Sequence, residues 1–151
     1  MKIFVDADSC PKPARDLALR TALRRNIGII FAANRLIPGI NGSGVVMELC
    51  STDEGAADDR IVALARPGDL ALTRDVPLAA RLVAANVAVL DDRGRVYTAE
   101  NIRERLSLRI FMVNLAETGL KGERFPSYGR KDLKNFADSL DRILTRLTRN
   151  S

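Results

Sequence analysis

The feature that most constrains this chain is an apolar run that stops at acid. Residues 1–8 read Met-Lys-Ile-Phe-Val-Asp-Ala-Asp, and Pro11 and Pro13 then open a helical pattern. A β-branched and aromatic run bounded in this way is a short buried strand. Proline at the first positions of the next segment is a helix entry. Asp6 and Asp8 are therefore expected at a strand's carboxyl end, where open α/β sheets bind their ligands. The plainer account is a helix entry capped by acid. That account is weakened because the pattern recurs at Leu70-Ala-Leu-Thr-Arg-Asp75, with Pro77 near the start of the next helix.

The rest of the chain alternates in the same manner. Strands are expected at 2–6, 27–32, 45–50, 69–73 and 87–90, with helices at 11–25, 55–66 and 77–86 between them. Ser51 or Thr52 is the expected cap of the second helix, whose first turn is acidic, as the helix dipole prefers. Short apolar strands separated by helices mean a mostly parallel, doubly wound sheet. The expected fold is a three-layer α/β/α domain over residues 1–151, with a five-stranded, mainly parallel sheet and the first strand central. A C-terminal helical extension covers about 98–151. Thr98 opens one helix, with Ile102, Leu106, Ile110 and Val113 on one stripe. A Gly-, Pro- and Lys/Arg-rich stretch from Gly119 to Gly129 reads as a mobile loop. A last helix carries Leu133, Phe136, Leu140, Ile143, Leu144 and Leu147 at heptad-like spacing, to pack on the sheet or, as the alternative, to make a homodimer contact.

Composition then excludes most chemistries. With 151 residues, 46% of them hydrophobic, disorder is ruled out and the chain is long enough for a sizeable core. No apolar stretch approaches a membrane span, and acid arrives too early for a signal peptide, so a cytoplasmic protein without membrane contact is expected. The chain has no histidine. Ser-His-Asp triads, Cys-His dyads and histidine-ligated metals are thereby excluded. Cys10 and Cys50 are too few for a disulfide framework or a zinc knuckle, although a thiol at a helix N-terminus, as Cys10 is, can have a lowered pKa. That leaves carboxylates, hydroxyls, amides and Lys/Arg, and clustered carboxylates favour a hard cation such as Mg²⁺ or Mn²⁺.

Asp58 falls in register with Ile61, Val62 and Ala65 on its helix, while Asp59 faces outward. An acid on a core-facing stripe is costly unless it meets a cation or partner. Asp6, Asp58 and Asp75 are accordingly the candidate cluster, although Asp75 also suits an N-cap. Like charges about 4 Å apart repel by about 4 kcal/mol at an effective dielectric of 20, so a divalent cation is needed to hold such a set. Charge is uneven as well: residues 1–75 balance ten basic against ten acidic side chains, and the whole formal +5 lies in 76–151. That asymmetry suggests an anionic partner such as nucleic acid, the plain alternative being a solvated basic surface. With five Phe, two Tyr and no Trp, single-strand binding would lean on phosphate contacts more than on stacking.

Several short motifs together carry a resemblance. Val5-Asp6-Ala7-Asp8-Ser9-Cys10-Pro11, Ala33-Asn34, Ala57-Asp58, Gly68-Asp69-Leu70, Thr73-Arg74-Asp75-Val76-Pro77-Leu78-Ala79, Arg93-Gly94, Tyr97, Asn101-Ile102 and Arg105-Leu106 run in order along nearly the whole chain. The chain resembles the YaiI/YqxD family of uncharacterised bacterial proteins, which is grouped with the PIN-like folds. Thr73-x-Asp75 is similar to the PIN Thr-x-Asp signature, and Asp6 to its first-strand acid. The resemblance implies a metal-dependent ribonuclease with Asp6, Asp58 and Asp75 as catalytic ligands and Asp8 beside them. It also implies a Mg²⁺ or Mn²⁺ cofactor and an RNA partner. Ser9, Asn34 and Thr73 are expected in support. Gly55 stands where relatives often carry an acid, with Asp53 or Glu54 as substitutes, and Asp91-Asp92 replaces a usually uncharged pair.

A polyanion held beside an acidic crevice needs cations nearby. Arg93, Arg103, Arg105, Arg109, Lys121, Arg124, Arg130 and Lys131 are the candidates, against the plain alternative that they only pair with neighbours such as Glu104 and Asp92. Two other functions compete. A non-catalytic nucleic-acid-binding or scaffolding protein on the same fold is one. The other is a HAD-like phosphatase, to whose first motif Asp6-Ala7-Asp8 is also similar, with Thr73 and Asp91-Asp92 as later motifs. That chemistry calls for a phosphate-neutralising lysine, and none lies between Lys12 and Lys121.

Overall fold

Ile3, Phe4 and Val5 alternate between the two faces of a strand, and all three are buried, which requires cover on both sides. The computed structural model describes residues 1–117 and 127–149. In chain order the elements are β1 (Lys2–Asp6), α1 (Lys12–Arg25), β2 (Gly28–Ala33), β3 (Val45–Leu49), α2 (Ala56–Leu64), β4 (Leu70–Leu72), α3 (Val76–Ala84), β5 (Ala88–Leu90), β6 (Val96–Tyr97), α4 (Ile102–Glu117) and α5 (Arg130–Arg149). Lys121 and Arg124, and most of the expected 119–129 loop, lie outside the described residues.

The strands form one sheet of order β3-β2-β1-β4-β5-β6. The first five are parallel, with Val5 beside Phe31 on one side and Leu72 on the other. β1 is central, as expected. The sixth strand is an addition: β6 runs antiparallel to β5, pairing Val89 with Tyr97. Two residues are too few to display a period of two, so its pattern carries no signal.

The pleat divides the core in two. Ile3, Val5, Ile29, Phe31, Leu70 and Leu72 face α1 and α5, which contribute Ala14, Ala18, Ala22, Phe136, Leu140, Ile143 and Leu144. Phe4, Ala71 and Val89 face the opposite layer, where α2, α3 and α4 supply Ile61, Leu78, Leu82 and Ile102. Alanines four apart on α1 bring that helix close to the sheet. The apolar stripe of α5 is thus consumed against the sheet.

Two expectations need correction. The cap of α2 is Gly55, with φ 78° and no side-chain bond; Ser51 instead bonds Asp53 in a local turn. A left-handed residue at that position suits glycine, which gives Gly55 a backbone role. Secondly, the α4 stripe packs only at its start. Ile102 is buried, but Ile110 and Val113 are exposed, together with Leu108 and Phe111. Beyond its first two turns the described part of the helix keeps these large apolar side chains exposed, and its main packing partner is α3.

The β5–β6 turn is held unusually firmly. Asp91 Oδ1 accepts from the backbone N–H groups of Arg93 (2.9 Å) and Arg95 (2.8 Å), the short-range bonding that favours Asp in turns. Gly94 has φ 85° and lies so near α5 that an added Cβ would stand 2.5 Å from the Asn135 carbonyl oxygen. Ser139 Oγ donates to the Gly94 carbonyl at 2.8 Å. Gly94→Ala combines left-handed strain with overpacking, and is expected to cost about 2–5 kcal/mol. Urea melts are the check, and a loss below about 1 kcal/mol would refute the contact.

Candidate functional site

Strand order reverses about β1: the chain steps outward through β2 and β3, then returns to β4 on the other side. A crevice at the carboxyl ends of β1 and β4 results from that switch. Asp6 ends β1, and Thr73-Arg74-Asp75 comes directly after β4.

Asp6 and Thr73 are both buried. Asp6 Oδ2 accepts from Thr73 Oγ1 at 2.7 Å and from Ser9 Oγ at 2.8 Å. The same Thr73 hydroxyl accepts the backbone N–H of Asp75 at 3.0 Å. Ser9 reaches Asp6 because residues 6–9 form a tight turn, with Ser9 N–H on the Asp6 carbonyl. Asp75 Oδ1 caps α3 by accepting from the Leu78 N–H at 3.1 Å, so its capping role is real. Asp8 is exposed at the rim, and its Oδ2 accepts the backbone N–H of Asn34 at 3.0 Å. Asn34 supports the rim through its backbone.

The carboxylates feel one another. Asp58 is half-buried on α2, and its pKa is pushed up to about 6, first by burial and then by the charges of Asp6 and Asp75. Burial also raises the Asp6 carboxyl; the Thr73 and Ser9 hydroxyls pull it back, and Asp75 and Asp8 push it up further. Asp6, Asp58 and Asp75 therefore share one electrostatic field, with Asp8 at its edge. As their side chains stand, no three acids or thiols among the described residues are arranged to ligate one ion. Hard oxygen donors nonetheless suit Mg²⁺, which keeps several waters and is commonly held by one or two carboxylates.

Cys10 departs from expectation. Burial, with Asp92 next, raises its thiol to about 12. Pro11 and Pro13 lack the N–H groups with which a helix start stabilises a thiolate.

The candidate cations divide. Arg105 lies 4.0 Å from the centroid of the Tyr97 ring and 3.4 Å from Asp91 Oδ2. Arg93 Nε is 3.7 Å from Asp132 Oδ1. Both thus have partners within the chain, whereas Arg103, Arg109, Arg130 and Lys131 are exposed. Sequence patterns alone pass over two arginines beside the acids. Arg74, between the two motif residues, pairs with buried Asp92. Arg81 pairs with Asp59 and lowers the Asp58 pKa. Arg74's place inside Thr73-Arg74-Asp75 is the available signal; Arg81 offers none.

A family model described as "Uncharacterized BCR, YaiI/YqxD family" matches residues 4–146. A UPF0178 protein of Treponema pallidum (strain Nichols) is 48% identical over 149 residues, covering 99% of this chain and 84% of that protein. Its counterpart from Myxococcus xanthus (strain DK1622) is 45% identical, covering 99% and 97%. That from Ectopseudomonas mendocina (strain ymp) is 42% identical, covering 99% and 100%. No solved structure matches the chain.

Two outcomes are expected of this site. Thr73→Val removes a bond to a carboxylate and a bond from an amide, which should cost about 2–3 kcal/mol in denaturant melts and raise the Asp6 pKa further. Asp58 should titrate near 6 by carboxyl-detected NMR. Its raised folded pKa means that its ionisation destabilises the fold progressively as pH rises from about 4 to above 6. Asp58→Asn should therefore raise Tm at pH 7.5 and leave it nearly unchanged at pH 4, and Asp6→Asn should lower the Asp58 midpoint.

Proposed function

The chain belongs to the YaiI/YqxD family, and from that premise, together with the shared field of Asp6, Asp58 and Asp75, we propose a divalent-cation-dependent, PIN-like ribonuclease. The observation that carries the reading is Asp58, half-buried, with its pKa raised first by that burial and then by the charges of Asp6 and Asp75. An enzyme fold tolerates such self-repulsion where a cation relieves it. Further support comes from Asp91 and Asp92. The first ties up the β5–β6 turn and Arg105, and the second binds Arg74, which leaves them poorly suited to the last acidic motif of a phosphatase.

Asp6 and Asp75 would hold Mg²⁺ or Mn²⁺, with Asp58 joining once deprotonated and Asp8 orienting from the rim. The cation would neutralise phosphate charge and lower the pKa of an attacking water. Within the chain, Thr73 and Ser9 fix Asp6 Oδ2, so its free rotation is not lost afresh on each turnover. Exposed Arg103, Arg109, Arg130 and Lys131 are the cations left to receive RNA phosphates. Gly55 withholds the acid that relatives often carry, so two carboxylates and water would do most of the holding.

Isothermal calorimetry with Mn²⁺ tests the reading directly. A proton with pKa near 6 competes with the cation, so affinity should fall about tenfold from pH 7 to pH 5. Asp6→Asn should weaken Mn²⁺ binding by at least about a hundredfold, more than the loss of a group that merely orients a ligand usually does, and should abolish RNA cleavage. Cleavage that survives Asp6→Asn, or Mn²⁺ binding that ignores pH, would overturn the proposal.

A further inference from the structure

A second charged surface lies at the other end of the molecule. Asp141, Arg142, Thr145, Arg146 and Arg149 line an open concavity of about 580 Å³. Arg142, Arg146 and Arg149 recur at intervals of four and three on α5, so they share one face over about 10 Å. α1 ends alongside. Arg24 and Arg25 both reach Asp141 Oδ1, at 3.5 and 3.2 Å, and Arg25 also donates to Thr145 Oγ1. α1 starts from the carboxyl end of β1 and returns to the amino end of β2. The concavity is therefore on the opposite end of the sheet from Asp6, about 20 Å away by the length of α1.

The plain account is that basic residues complement helix C-termini, and both helices do end here with arginines. The magnitudes do not fit that account. Each helix end carries about half a negative charge, and Asp141 supplies one more. Five guanidinium groups against these leave about +3. Among the described residues, Arg146 and Arg149 have no hydrogen-bond or ion-pair partner, and Arg142 has only the Ser139 hydroxyl at 3.4 Å. Every cation in the group is arginine, whose planar fork matches a phosphodiester bidentately. Among the described residues Leu23, beside Arg24, is the one large apolar side chain exposed on these two helices, and those of α4 belong to the opposite layer; a single such residue disfavours a membrane as the ligand, since interfacial helices present an apolar face beside their cations.

We infer that the arginine concavity on the C-terminal half of α5, beside the end of α1, docks the phosphate backbone of nucleic acid, without reading sequence. It is independent of the acidic crevice and requires no cleavage there. The experiment is fluorescence anisotropy with a labelled 20-nucleotide RNA in EDTA, where no divalent cation contributes. Three phosphate contacts give a salt slope of about −2 for a single strand, so wild-type affinity should fall about fifteenfold from 50 to 200 mM salt. Arg146→Ala/Arg149→Ala should bind at least tenfold more weakly at 50 mM and lose only about two- to threefold over the same range. Asp141→Asn, which removes the carboxylate that lines the concavity among the described residues, should bind more tightly; this gain tests the surface even if the arginine variant folds poorly. Affinity of the double variant within twofold of wild type would overturn the inference, as would no gain in Asp141→Asn. So would a double variant that loses binding to phosphatidylserine vesicles while keeping its RNA affinity.

Discussion

The Thr73 hydroxyl bridges the two strands on which the crevice is built. It donates to Asp6 at the end of β1 and accepts from the Asp75 amide beyond β4. One oxygen thereby sets the orientation of two acids contributed by strands far apart in sequence. The bond to Asp6 also decides the protonation balance. Burial and two neighbouring carboxylates favour the neutral acid, while Thr73 and Ser9 favour the anion. In the proposed function, that opposition is what would let a cation take the place of the proton.

The bridge has a second support in the β5–β6 turn. Arg74, between Thr73 and Asp75, binds Asp92, and the Asp92 carbonyl accepts from the Tyr128 hydroxyl at 2.7 Å. Tyr128 precedes α5, and α5 presses on the same turn at Gly94. The C-terminal helix is therefore coupled to the crevice through packing and polar contacts, the Arg93–Asp132 pair among them. Phe136 reinforces the link, being fully buried on the α1 side of the core.

The architecture was legible because strand and helix periods are local. Ile3-Phe4-Val5 and Leu70-Ala71-Leu72 announce buried strands by composition, and Pro13 and Pro77 mark the helices after them. Asp6, Thr73 and Asp75 were legible for the same reason, since strand ends direct them. Tertiary geometry hid the rest. The importance of Arg74 depends on Asp92, eighteen residues away, and that of Gly94 on a helix about forty residues on. Arg105 reads as a surface cation until its ring partner Tyr97 and the carboxylate of Asp91 are located. The α4 stripe misleads because periodicity reports which residues share a face, and says nothing of whether a sheet lies beneath it.

Charge is segregated along the strands, and screening keeps its two parts independent. The acids lie at the carboxyl ends of β1 and β4, and the arginines of α1 and α5 at the amino end of the sheet. The separation of about 20 Å is more than twice the Debye length of about 8 Å at physiological ionic strength. The arginines of α1 and α5 therefore do little to relieve repulsion among Asp6, Asp58 and Asp75, and Asp58, raised first by burial and then by those charges, stays at about 6 despite a net charge of +5. For the same reason a polyanion approaching the arginine end is not repelled by the acids. A basic pI and an acidic crevice are thus compatible in one small chain, because over this distance each end answers only to the charges bound beside it.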